Sequence, residues 1–204
     1  SPTVSGQPVS IGQTVNGALT TDDQVMFGGG FRSYFFDAYS FTAQAGTPVA
    51  LDLRATTFDP AVVLYKRETN GTLTAVAADD DLGGMGDGKF VNDNALLLAV
   101  VPESRDYVLV VTSADDNPGG KGNYTLRLIG GAIQNVAYGA AINGQITNTD
   151  LQTAAGDFLD AYSFAGVDGD RVQIQMNAAG FDSLLILNRN NGAIVAKDDN
   201  GGGG

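Results

Sequence analysis

The sequence contains no cysteine, no histidine and no tryptophan, and among its 23 acidic residues only Glu68 and Glu103 are glutamate. Without cysteine there is no disulfide framework, no thiol nucleophile and no thiolate metal site. Without histidine there is no Ser-His or Cys-His dyad, no imidazole base and no ordinary zinc or iron ligand set. Cations are also scarce. Eleven Lys and Arg leave a net charge of −12, which does not suit a partner as anionic as nucleic acid. No apolar run approaches the roughly 20 residues of a membrane helix, so membrane insertion is not expected. What is present is 204 residues at 43% hydrophobic content, enough for packed cores, with 28 glycines to turn the chain. Ser1-Pro2-Thr3-Val4 reads like a mature terminus left by a signal peptidase. Together with the Asp-rich, cysteine-free composition, it leads us to expect an extracellular or cell-surface protein of a bacterium or archaeon.

An internal repeat organises the chain. Asn16-Gly17-Ala18-Leu19 returns as Asn143-Gly144-Gln145-Ile146, and Phe36-Asp37-Ala38-Tyr39-Ser40-Phe41 as Leu159-Asp160-Ala161-Tyr162-Ser163-Phe164. Val49, Leu51 and Leu53 return as Val172, Ile174 and Met176; Val62-Val63-Leu64 returns as Leu185-Ile186-Leu187. Asn70-Gly71 returns as Asn191-Gly192, and Asp79-Asp80-Asp81 as Asp198-Asp199-Asn200. The order is unchanged and the spacing drifts only slightly, as loop-length differences would produce. The sequence therefore predicts a duplicated module, one complete copy in residues 1–130 and a partial copy in 131–204, joined near Gly130-Gly131.

Within a copy the apolar period is two, the signature of strands. Phe35, Tyr39 and Phe41 share a face with Asp37 among them; Tyr124, Leu126 and Leu128 alternate with Thr125 and Arg127. Residues 95–101 and 107–112 are more continuously apolar, as central sandwich strands would be. Glycine, Asn, Asp and Pro clusters separate these runs, and no stretch carries a 3.6-residue apolar stripe. The expected fold class is all-β: tandem jelly-roll-like antiparallel sandwiches, the second lacking its C-terminal strands within this chain.

In the first copy the Asp cluster is followed by three strand candidates, residues 94–101, 107–112 and 124–129; in the second, by Gly201-Gly202-Gly203-Gly204. A sandwich short of three strands leaves an apolar face and unpaired backbone groups. Each large side chain left uncovered forfeits about 1.5–3 kcal/mol, against a total stability of about 5–15 kcal/mol. Either the chain is a piece of a longer one, or another subunit donates strands, which makes a homo-oligomer or polymer.

In this order, Asn16-Gly17-Ala18-Leu19, Asp37-Ala38-Tyr39-Ser40-Phe41, Ala45-Gly46, Phe58-Asp59-Pro60, Asp79-Asp80-Asp81 and Gly122-Asn123-Tyr124-Thr125-Leu126 resemble the bacterial pre-peptidase C-terminal domain family, relatives of the collagen-binding domains of clostridial collagenases. The resemblance covers nearly all of residues 9–129 and, in its first half only, 139–204. It implies a jelly-roll-like sandwich of secreted proteins, not itself catalytic, linked to secretion, surface retention or binding of insoluble substrates, with calcium in some members. Two features depart from the family: the chain holds no peptidase catalytic domain, and the second copy has no closing Gly-x-Tyr-x-Leu strand.

Metal-site character is confined to Asp79, Asp80 and Asp81 with Asp87 nearby, and to Asp198, Asp199 and Asn200. Such hard oxygens on glycine-rich backbone suit calcium. The spacing is not that of an EF-hand, since Gly83 and Phe90 stand where ligands would be needed, and turn capping, the favoured reading, accounts for the same residues. Asp37 and Asp160 lie among aromatic residues, where a carboxylate needs hydrogen bonds; backbone N–H partners from a neighbouring loop are expected. No catalytic residue or cofactor site is expected beyond the calcium candidates. The leading functional expectation is a non-catalytic secreted structural or adhesive protein that self-assembles into a filament or surface layer by strand complementation. The alternative is an accessory targeting or substrate-binding module pair of a secreted hydrolase.

Overall fold

The computed structural model describes residues 4–27, 33–80, 94–114, 120–153 and 156–199, and every regular element among them is a β-strand. Ten strands precede Gly131: β1 (Gln7–Pro8), β2 (Thr14–Leu19), β3 (Gln24–Phe27), β4 (Ser33–Ala43), β5 (Pro48–Ala55), β6 (Pro60–Arg67), β7 (Leu73–Asp79), β8 (Asn94–Val100), β9 (Arg105–Ser113) and β10 (Gly122–Gly130). They form two sheets. One runs β1-β4-β9-β6-β7, with β3 also paired to β4, and the other runs β2-β10-β5-β8. All neighbours are antiparallel except β1 and β4.

The period-two pattern explains why the two sheets face each other. Val49, Leu51, Leu53 and Ala55 of β5 and Tyr124, Leu126 and Leu128 of β10 turn one way, toward Tyr39, Phe41, Leu64, Tyr107, Leu109 and Val111 of the opposing sheet, in one buried cluster. Phe41 stacks on Tyr107 with ring centroids 5.6 Å apart. Phe36, Val108 and Val110 project from the other face of the first sheet and gather Val4, Met26, Val63 and Tyr65 into a second, smaller cluster. The continuous apolarity of β9 fits its central place between β4 and β6. The same pattern in residues 95–101 had suggested a central strand, yet β8 is an edge strand. Its outward-facing Leu96 is nonetheless buried, as are Ala50 and Asp52 of the adjoining β5, so this sheet is covered on both faces there. Burial on both faces, not central position, is what its composition records.

Residues beyond Gly130 carry six short strands: β11 (Ile133–Asn135), β12 (Leu151–Gln152), β13 (Phe158–Leu159), β14 (Ala161–Ser163), β15 (Leu185–Asn188) and β16 (Ile194–Asp198). They form three two-stranded ladders, β11-β14, β12-β13 and β15-β16, and among the described residues these do not close into a sandwich. Each ladder follows the register of one in the first half. Gln134 lies opposite Tyr162 in a parallel pair, as Gln7 lies opposite Tyr39. Leu151 faces Leu159, as Gln24 faces Phe36. Leu185 faces Asp198 and Leu187 faces Ala196, as Val62 faces Asp79 and Leu64 faces Ala77; the register then shifts after Leu187 as it does after Leu64.

The two hairpin turns match as well. Glu68 N–H donates to Thr72 O and Gly71 N–H to Glu68 O, while Arg189 N–H donates to Ala193 O and Gly192 N–H to Arg189 O, at 2.8–3.0 Å. Gly71 and Gly192 hold φ of 84° and 92°, where a Cβ would be strained, and the side chains of Asn70 and Asn191 accept from the amides of Thr72 and Ala193.

Among the described residues, side-chain hydrogen bonds join the second half to the first, and Gly192 lies against Ala78 and Leu97. The side-chain amide of Asn190 closes a pair of bonds on the exposed edge of β8, accepting from Val100 N–H at 2.7 Å and donating to Val100 O at 2.8 Å. Arg54 of β5 donates to Gln152 at 3.4 Å.

Candidate functional site

Three places had chemical promise. At the first Asp cluster, Asp79 is buried at the end of β7, and its Oδ2 accepts the Leu96 N–H of β8 at 2.9 Å. The carboxylate thereby ties the edge strand of one sheet to the edge strand of the other. Asp80 beside it is exposed, as are Asp198 at the end of β16 and Asp199 after it. Asp81, Asp87 and Asn200 lie outside the described residues, as do Gly83 and Phe90. Among the described residues no three His, Cys, Asp or Glu side chains converge as a metal site would require. The bond described for Asp79 is that of a strand-end acceptor.

The second place is Asp37. Tyr124 of β10 donates its hydroxyl to Asp37 Oδ2 at 2.6 Å and shares a 2.5 Å hydrogen bond with the Tyr39 hydroxyl. The partner described for Asp37 is therefore a tyrosine from the facing sheet, not the loop amide expected from sequence. Burial pushes the Asp37 carboxyl above the ordinary aspartate range; the Tyr124 bond opposes this and the charge of Asp23 adds to it. Burial, together with the neighbouring carboxylate and hydroxyl, also drives the Tyr124 hydroxyl far above an ordinary phenol, so it stays a donor at any working pH. Space for this tyrosine is made by Gly17 of β2, its cross-strand neighbour: a Cβ there would collide with the Tyr124 ring and hydroxyl. The sequence signal existed, since Gly17, Asp37, Tyr39 and Tyr124 all sit in motifs noted above. What sequence lacks is the fold that brings them together.

The third place is the corresponding corner of the second half. Tyr162 donates to Asp160 Oδ2 at 3.4 Å, and Gly144 lies against both: a Cβ on it would come 3.2 Å from the Tyr162 hydroxyl and 3.3 Å from Asp160 Oδ2. Burial, then the charge of Asp160, raises the Tyr162 hydroxyl above its ordinary range. Gly144, Asp160 and Tyr162 stand at the repeat positions of Gly17, Asp37 and Tyr39, but the contacts differ: Gly144 lies against the Asp160 and Tyr162 side chains themselves, whereas Gly17 lies against Tyr124. Residues 143–146 and 172–178 belong to no strand and, among the described residues, make no backbone–backbone hydrogen bond. Their first-half counterparts, β2 and β5, are the two strands that flank β10. Apolar side chains around them are open to solvent, with Ile174 47% exposed, Phe181 54% and Leu184 46%.

Sequence reasoning missed one group. Asp52 faces outward from β5 yet is only 2% exposed, held by Arg54 at 2.9 Å and Arg127 at 3.3 Å. Arg127 lies directly opposite it on β10, a pairing readable only once register is known.

No protein-family model matches the chain, and no curated protein matches it in sequence. Solved structures do. One is the pre-peptidase C-terminal domain of a Bacillus anthracis collagenase, at 16% identity and TM-score 0.37 over 61% of this chain and 94% of that one. Another is PliG of Aeromonas hydrophila, a periplasmic inhibitor of g-type lysozyme, at 14% and 0.42 over 61% and 95%. A third is CorA, a surface-associated copper-binding protein of Methylomicrobium album BG8, at 11% and 0.47 over 62% and 98%. The family suggested by the sequence motifs is thus among the structural matches. At these identities the likeness is one of fold alone.

Proposed function

We propose that this chain is a non-catalytic structural or adhesive protein of a bacterial or archaeal exterior, built from a repeated β-sandwich module and assembling through its second half. One observation carries the reading: among the described residues, 143–146 and 172–178 belong to no ladder and Val172 and Ile174 stand open to solvent, while the ladders that do form follow registers of the first-half sandwich. Open backbone edges and apolar side chains are the means by which β-proteins recruit further strands. No helix among the described residues is long and apolar enough to cross a membrane.

Light scattering coupled to size exclusion, with electron micrographs of the same fractions, tests the proposal. The expected result is oligomers or filaments that grow with protein concentration. A concentration-independent monomer with a smooth, cooperative melt of both halves would overturn it.

A further inference from the structure

β8 is an edge strand, yet its own residues carry none of the usual protection of an edge: Asn94–Val100 holds no charge and no proline. Two of its outward amides are taken by side chains instead. Leu96 N–H donates to Asp79 Oδ2 at 2.9 Å, and Val100 is held by the Asn190 side chain at both its N–H and its carbonyl, at 2.7 and 2.8 Å. By the two-residue period of an antiparallel ladder, Leu98 N–H and C=O point the same way, and no strand pairs there among the described residues. The two plugs differ in origin. Asp79 belongs to the first sandwich, whereas Asn190 arrives from the second half of the chain. Its turn is closely seated: a Cβ on Gly192 would lie 2.7 Å from the Ala78 carbonyl oxygen and 3.9 Å from the Leu97 side chain. The first half supplies a control. Its matching turn makes the same backbone bonds with Thr69 in the place of Asn190, and a Cβ on Gly71 would meet nothing within 4 Å. The hairpin therefore does not need Asn190 to form, and what that side chain serves is the contact with β8.

We propose that the turn at Asn190–Gly192 is an edge guard, which keeps the β8 of a second copy of this chain from pairing with β8 of this one. A side-chain amide offers one acceptor and N–H donors as a peptide group does, so Asn190 meets Val100 as a neighbouring strand would. A second β8 is the strand kept out because this edge is complementary to itself. Antiparallel pairing about Leu98 sets Leu98 opposite Leu98, Leu97 opposite Ala99 and Leu96 opposite Val100. Apolar side chains then meet throughout, and no like charges are opposed in a chain of net charge −12. In that register the two Leu98 residues exchange N–H···O bonds, and each Val100 N–H reaches the Leu96 carbonyl of the other copy. That Val100 N–H is the group Asn190 occupies. The guard concerns the edge of the first sandwich; it goes beyond the assembly reading, which concerns segments of the second half, and does not rest on it.

Asn190→Ala combined with Gly192→Ala removes the plug, the first by deleting both bonds to Val100 and the second by setting a methyl group against the Ala78 carbonyl. Sedimentation and hydrogen exchange compare this variant with the parent over a concentration series. The expected result is self-association at about tenfold lower concentration than the parent, as loss of two neutral hydrogen bonds from the competing contact gives. Exchange at Leu98 and Val100 should slow as the variant is concentrated, while in the parent Leu98 exchange stays independent of concentration. Adding Leu98→Lys should restore the parent's size distribution, because paired copies would set lysine against lysine. Asn190→Asp alone keeps the shape of the turn but loses the donor, and should show the same shift more weakly; exchange in β9 verifies that the first sandwich stays folded in each variant. Unchanged self-association of the folded variants overturns the guard, as does association without slowing at Leu98 or association that survives Leu98→Lys. Oligomers of the parent bear on the assembly reading, and the difference between parent and variant bears on the guard, so either can fail without the other.

Discussion

Removing the Tyr124 hydroxyl, by Tyr124→Phe, deletes the one group that joins Asp37 and Tyr39 across the sandwich. The ring and its packing stay, so the change isolates two hydrogen bonds, at 2.6 and 2.5 Å. A bond to a charged group contributes roughly 1.5–3 kcal/mol and a neutral one about 0.5–1.5 kcal/mol. Because Asp37 is only partly buried, the lower part of the combined range applies, about 2–3 kcal/mol. With an m-value of roughly 1–3 kcal/mol/M in urea, the midpoint falls by about 1–2 M at unchanged m. Far-UV circular dichroism follows the transition in the absence of tryptophan. Asp37→Asn and the double variant complete a cycle with an expected coupling of about 1–2 kcal/mol. If Tyr124→Phe lies within about 0.5 kcal/mol of the parent, or the two changes simply add, the network does not hold the sheets together.

Other perturbations have definite signs. Because burial raises the Asp37 carboxyl, its contribution is fully present below the unfolded value and is lost as pH rises through the folded one. Urea melts should therefore show the stability of the parent minus that of Asp37→Asn increasing as pH is lowered from 6 toward 3. Gly17→Ala, which strand propensity alone would favour, should instead cost about 1–3 kcal/mol in the same melts, because its Cβ overlaps Tyr124. Asn190→Ala removes both bonds to the edge of β8; hydrogen exchange should show faster opening at the Val100 amide, with a loss of about 1 kcal/mol or less in overall stability.

Much of the architecture was legible in the sequence because alternation is a local property. The inward set of Val49, Leu51 and Leu53, and that of Tyr124, Leu126 and Leu128, follow from side chains pointing to opposite faces at successive residues. The turns at Gly71 and Gly192 could be read from their Asn-Gly pairs, since glycine alone tolerates that backbone without strain. The edge position of β8 could not be read this way. Its composition records burial on both faces, and an outer face can be covered by packing from elsewhere in the chain as well as by central placement.

The sequence by itself determined the all-β class, the repeated motifs and the chemistry this chain does not possess, because each depends on residue type and short spacing. Tertiary structure alone decided who meets whom. Asp37 and Tyr124 lie 87 positions apart, and only the placing of β10 between β2 and β5 brings that hydroxyl to that carboxylate. Asp52 finds Arg127 for the same reason, 75 positions away. Pairing across such distances is set by register and by which sheets stack, and neither is written in any short stretch of residues.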